Sequence, residues 1–110
     1  DALDAGILAN ALQELPITSS HSLRSFSASY NPDLKDAGAI ALAKSFPPSI
    51  TELGCVGCSI EDAGGAALLD WARQAVNLRV ICVEGNNFSS DLRAKFAELG
   101  RQRTSLFVMA

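Results

Sequence analysis

Apolar residues recur along this chain in one repeated order. Leu23, Phe26 and Ala28 lead to Asn31; Ile50, Leu53 and Cys55 lead to Cys58 and Ile60; Leu78, Ile81 and Val83 lead to Asn86 and Phe88. A fourth copy opens at Leu106 with Met109 three positions on. The starts at 23, 50, 78 and 106 lie 27, 28 and 28 residues apart. A fixed period in the range of roughly 20–50 residues marks a stacked array of like units. Offsets 3 and 5 of each copy fall on one side of an extended segment, because side chains alternate with a period of two. Each copy therefore predicts a strand with one buried face, and offsets 2, 4 and 6 turn the other way.

The second half of each unit changes period. Gly38, Leu42 and Phe46 are four residues apart, as are Gly64, Leu68 and Ala72, so each set lies along one helical face. Asp36 and Asp62 sit where a first-turn or N-cap carboxylate would satisfy free amides and the helix dipole. Gly38 and Gly64 are expected to let helix and strand backbones approach closely. Asp4-Ala5-Gly6, followed by Ile7, Leu8, Ala11, Leu12 and Leu15, reads as the helical half of an earlier unit. Ser89-Ser90-Asp91 opens the last helix, which carries Leu92, Phe96 and Leu99. The chain divides into repeats 23–49, 50–77 and 78–105, with partial repeats at 1–22 and 106–110.

This pattern resembles the leucine-rich repeat, and a period near 28 with a full helix per unit is similar to the ribonuclease-inhibitor-like subclass. Three departures stand out. Leu92 occupies the place of Gly64, Pro32-Asp33 adds one residue after Asn31, and Cys58 replaces the usual asparagine. The resemblance implies a single domain over 1–110: a right-handed α/β leucine-rich-repeat solenoid, with parallel strands on its concave face and helices on its convex face. Opening in mid-repeat without an initiator Met, the chain is expected to be a piece of a longer protein.

The resemblance also implies a binding surface and no reaction. The expected function is a non-catalytic protein–protein interaction module or scaffold, and not an enzyme. A GTPase-regulating protein of the Ran-activating kind and a structural subunit of a large assembly are the alternatives. The Ran-activating relatives supply an Arg and an Asn from strand-to-helix loops, and neither maps onto a residue here. The concave face would be built from Ser25, Ser27 and Ser29, then Glu52, Gly54 and Val56, then Val80, Cys82 and Glu84, then Val108 and Ala110. Tyr30, Gly57 and Gly85 would stand at its loop edge. The candidate partner-binding residues are accordingly Ser25, Ser27, Ser29, Tyr30, Glu52, Val56, Val80, Cys82, Glu84 and Val108. On the helix side Trp71 either meets a partner or packs between helices.

Composition narrows the partner class. The net charge is −3 with no basic run, which disfavours nucleic acid, since neutralising phosphates takes clustered Lys and Arg. Arg101-Gln102-Arg103 is expected to complement the dipole of the helix it follows. Hydrophobic residues make up 48% and aromatics 6%, which suits thin layers of Leu, Ile and Ala. No apolar run approaches the roughly 18–20 residues needed to cross a bilayer, so membrane insertion is not expected. Three cysteines argue against a disulfide framework and for a reducing, intracellular setting. Neither end reads as capped, so self-association or burial in an assembly is expected there, with Leu106 to Met109 as an unpaired edge.

Candidate chemistry is sparse. Cys55-Val56-Gly57-Cys58 alone suggests a redox pair or half a zinc site. In register, however, Cys55 falls on a core position beside Ala28 and Val83. Cys58 falls on the turn-bonding position of Asn31 and Asn86, so both read as buried structural thiols binding no metal. Cys82 reads as an exposed or half-buried thiol whose pKa Glu84 raises. His21 reads as a solvated loop residue. Aspartates 4, 36 and 62 could form a calcium row, but Asp-Ala-Gly lacks the ring of oxygen ligands that ion takes. No cofactor is expected.

Overall fold

The computed structural model describes residues 23–110. The helix expected after Asp4 and the linker carrying His21 lie outside the described residues. Four short strands alternate with three helices: β1 (Ser25–Ser27), α1 (Lys35–Ser45), β2 (Glu52–Gly54), α2 (Asp62–Gln74), β3 (Val80–Cys82), α3 (Ser90–Gln102) and β4 (Phe107–Met109). They form one parallel sheet in the order β1-β2-β3-β4. The architecture is α/β, as the two alternating periods predict. Hydrogen bonding runs on past the strands, from the Ala28 and Cys55 amides to the Gly54 and Cys82 carbonyls at 2.9 and 2.8 Å.

The core lies against one face of the sheet. Leu53, Cys55, Ile81 and Val83 are fully buried with Leu42, Leu68, Leu69 and Phe96 from the helices. Their offsets 3 and 5 are those the alternation assigns inward. Trp71 packs between elements: its ring lies 4.9 Å from that of Phe46, which meets Phe26 at 5.2 Å edge-on. Trp71 is partly buried against the core.

Each turn places a left-handed residue three positions past the end of its strand, and Lys35 and Ser59 are left-handed as well. Gly57 and Gly85 fill the turn position at φ +64° and +71°, and Tyr30 takes the same place at φ +63°. Glycine adopts this conformation without steric cost, whereas a tyrosine pays for its Cβ. Below the turn, the Asn86 amide joins two layers. Its Oδ1 accepts from the Cys58 and Ile60 amides at 2.9 and 3.1 Å, and its Nδ2 donates to the Cys55 and Val83 carbonyls at 2.8 and 2.9 Å. Cys58, at the equivalent position, donates its thiol to the Ala28 carbonyl at 3.0 Å.

Four expectations are corrected. Asp36 does not cap its own helix. Its Oδ1 accepts from the Glu61 and Gly64 amides at 2.7 and 3.0 Å, closing the start of α2. Asp62 likewise accepts from the Ser89 amide at the start of α3, at 2.8 Å. Arg103 serves the helix before it: its guanidinium donates to the Ala72, Ala75 and Leu78 carbonyls at 2.6, 2.8 and 3.3 Å, covering the end of α2. Arg101 instead pairs with Glu98. Gly64 faces a helix and not a strand, since a Cβ there would meet Asp36 and Ile60 at 2.7 to 2.8 Å. Sequence shows a helix only its own termini; stacking brings the neighbour's within reach.

The fourth correction concerns register. β4 pairs Phe107 with Val80, Val108 with Ile81 and Met109 with Cys82. In the earlier steps two successive amides share one carbonyl: Thr51 and Glu52 on Arg24, then Arg79 and Val80 on Thr51. Only Phe107 bonds the Arg79 carbonyl, so one residue is missing between Leu106 and the strand. A one-residue shift exchanges the faces of a strand. Val108 is therefore half-buried over Gly100 on the core side, and Phe107 and Met109 occupy the open face. On α3, Arg93, Lys95, Glu98 and Gln102 are exposed.

The caps between helices are testable. Asp36→Ala is expected to cost about 1–2 kcal/mol in urea unfolding, the usual range for a lost N-cap. The Asp62 carboxyl is held below the ordinary carboxylate range, chiefly by its hydrogen bonds with Ser89. A carboxylate depressed in the folded state contributes stability above its unfolded pKa of about 3.9 and loses it as pH falls through the lower folded value. Wild-type protein should thus exceed Asp62→Asn in stability near pH 6, and the gap should close below about pH 4. A gap unchanged at pH 2.5 would contradict this.

Candidate functional site: the open face of the sheet

Among the described residues, none forms a layer over one face of the sheet. Parallel sheets are nearly always covered on both faces, so this surface is the candidate site. Ser25, Ser27 and Glu52 are exposed, as are Phe107 and Met109, while Ser29, Val56, Val80, Cys82 and Glu84 are half-buried. The structure brings together every sequence-predicted candidate except Val108. Tyr30 stands at the rim, 81% exposed. Its ring lies beside Gly57, whose added Cβ would meet Cδ1 at 3.6 Å.

Hydrogen bonds knit the polar side of this face. Ser25 Oγ donates to Glu52 Oε2 at 3.0 Å, and Ser29 Oγ accepts from the Val56 amide at 3.0 Å. The opposite side is apolar, with Val80, Phe107 and Met109 grouped around Cys82. Phe107 and Met109 escaped the sequence reading because Leu106 to Met109 is a continuous apolar run, and such a run carries no alternation to fix its faces.

The three thiols differ as expected. Cys55 and Cys58 are buried and unpaired. Burial pushes the Cys55 thiol up to about 12, with the neighbouring Cys58 adding to it. Cys58 is raised mainly by burial. Cys82 is half-buried, 3.8 Å from Met109 Sδ, and is raised by desolvation and by the Glu84 and Glu52 carboxylates. Reaction needs the thiolate and access to it. With iodoacetamide at pH 8, followed by mass spectrometry, Cys82 should be modified first, more slowly than a free thiol, and Cys55 and Cys58 only on unfolding. Early labelling of Cys55 would contradict this burial.

Among the described residues, no group of three or more His, Cys, Asp or Glu side chains is placed to hold a metal ion. An open depression of about 410 Å³ lies on the strand-to-helix rim between Lys35, Asp36, Ser59, Glu61 and Asn87. Its carboxylate Oδ1 of Asp36 is already committed to two amides of α2, so the depression belongs to the capping arrangement. Among the described residues no helix is long and apolar enough to cross a membrane. Compared with known proteins, the chain matches no family model, and no curated protein matches it either.

Proposed function

We propose that this chain is a protein–protein interaction module without catalytic activity, built as a right-handed leucine-rich-repeat solenoid whose open sheet face is the concave, partner-binding side. The observation that carries the reading is a parallel sheet with one face buried and the other left uncovered by the described residues. The repeated supports point the same way: left-handed residues at 30, 57 and 85, and the inter-turn bonds of Cys58 and Asn86. Open strand positions held by such a frame suit a folded partner or an extended segment.

The reading is tested by binding. A partner captured by the wild-type chain should be lost with Val56→Lys on the open face and kept with Ala66→Lys on the exposed side of α2. Retention by the first variant and loss with the second would move the site to the helices. The alternative as a regulator of small GTPases has less support. Tyr30 and Asn87 are exposed near the strand-to-helix rim, but segments 28–36, 55–62 and 83–90 contain no Arg. Accelerated GTP hydrolysis with a panel of small GTPases would restore it. Self-association through the β4 edge is read from Phe107 and Met109. Phe107→Lys is therefore the variant that should reduce light scattering at high concentration.

A further inference from the structure

The open face is sorted into rows. Across the strands, Ser25, Glu52, Val80 and Phe107 align, and beside them Ser27, Gly54, Cys82 and Met109. Ser29, Val56 and Glu84 follow two residues further along each strand. Over β1 to β3 the middle row has the smallest side chains, and the nearest atoms to a Cβ on Gly54 would be the Ser29 and Ser27 hydroxyls, at 3.1 and 3.4 Å. It forms the floor of a shallow channel running across the strands, closed at the β4 end by Met109 against Cys82.

Charge marks the middle of this channel. Glu52 stands on one side and Glu84 on the other, and both carboxylates act on the Cys82 thiol between them. Glu52 accepts from the Ser25 hydroxyl. Among the described residues neither carboxylate is in an ion pair with Lys or Arg; the described pairs are Arg73 with Asp70 and Arg101 with Glu98, both on helices. No Lys or Arg occupies any of the three rows. The β4 end is apolar, with Phe107 60% exposed beside Val80 and Met109.

We propose that this channel receives an extended segment of another protein, carrying Lys or Arg between Glu52 and Glu84 and a large apolar side chain over Val80, Phe107 and Met109. Four strands about 4.8 Å apart span roughly 14 Å, the length of about four extended residues. Two carboxylates with no Lys or Arg paired to them among the described residues repel an anionic partner and attract a cation, which steers and selects more than it tightens. The inference rests on reading the open face as the protein-binding surface.

The test is a selection of random hexapeptides, displayed on phage, against the immobilised chain. Enriched peptides are then synthesised and titrated by fluorescence anisotropy. The expected peptides pair Lys or Arg with a neighbouring aromatic or large aliphatic residue. Glu52→Gln and Glu84→Gln should each weaken them about 3- to 10-fold, and replacing arginine by citrulline should do at least as much. Raising salt from 50 to 500 mM should weaken them further. Gly54→Trp, which fills the channel floor, should abolish binding while circular dichroism stays native; Met109→Lys, which puts a cation at its end, is the second blocking variant. Peptides blocked by these two variants but lacking a basic residue, or indifferent to both glutamine variants, would overturn the proposal and leave the surface reading standing. Peptides that ignore both blocking variants, or no enrichment at all, would overturn both.

Discussion

Asn86→Ala is expected to lower the unfolding free energy by about 3–5 kcal/mol, the largest effect of any polar substitution in the described residues. Asn86 is buried, and its amide serves two acceptors and two donors on the backbone of adjacent layers. Alanine leaves four backbone groups without that partner in a site with little water. Each orphaned buried group costs about 1–3 kcal/mol, tempered where the backbone relaxes. Whole domains are stable by only about 5–15 kcal/mol, so the variant should be partly unfolded at moderate temperature. Asn86→Asp is the informative partner. It keeps the acceptor but turns a charge towards the Cys55 and Val83 carbonyls, and should be no better than alanine. Asn87→Ala should cost under about 0.5 kcal/mol, since Asn87 is exposed. Urea midpoints for the three variants check the order, and a small shift for Asn86→Ala would remove the amide as the joint between turns.

The second large effect is expected at a residue with no side chain. Gly64→Val should destabilise by about 3 kcal/mol, by overpacking and by loss of a cap together. A Cβ at Gly64 would stand 2.7 Å from Asp36 Oδ1 and 2.8 Å from both Asp36 Cα and Ile60 Cγ2. The backbone of Asp36 cannot turn aside, so α1 and α2 must separate. Separation withdraws the carboxylate from the amides it caps. A glycine within a helix is ordinarily worse than alanine by up to about 1 kcal/mol, so a propensity scale alone predicts the opposite sign for Gly64→Ala, even in the first turn of α2. Gly54→Ala is the contrasting case: its nearest neighbours are serine hydroxyls on an open face, and it should be close to neutral. Equal unfolding midpoints for Gly64→Val and wild type would refute the close helix approach.

Much of this structure is legible in the chain. Two hydrophobic periods, 2 and near 4, place β1, β2 and β3 and the faces of α1, α2 and α3 without any tertiary information. They work because burying one stripe or one face is the main force driving folding, and the sequence must spell that face at the period of its backbone. The repeat register also reads Cys55 and Cys58 correctly as buried, where the local Cys-x-x-Cys motif points to redox or zinc chemistry. The open-face candidates from Ser25 to Glu84 follow from the same alternation.

β4 and the helix ends show where that logic stops. Leu106 to Met109 is apolar at every position, so its facing depends on which amide meets the Arg79 carbonyl, and one residue fewer turns Val108 inward and Phe107 outward. Asp36, Asp62 and Arg103 carry the right charges for helix ends, and the sequence determined that they would cap. Which helix they cap was decided only by stacking. A carboxylate in one helix's first turn lies nearest the free amides of the next layer, and a guanidinium after α3 reaches back to the open carbonyls of α2. Periodic burial is a property of each segment by itself and survives in one dimension. Hydrogen bonds between layers join residues 25 to 31 positions apart, and they exist only once the layers are in contact.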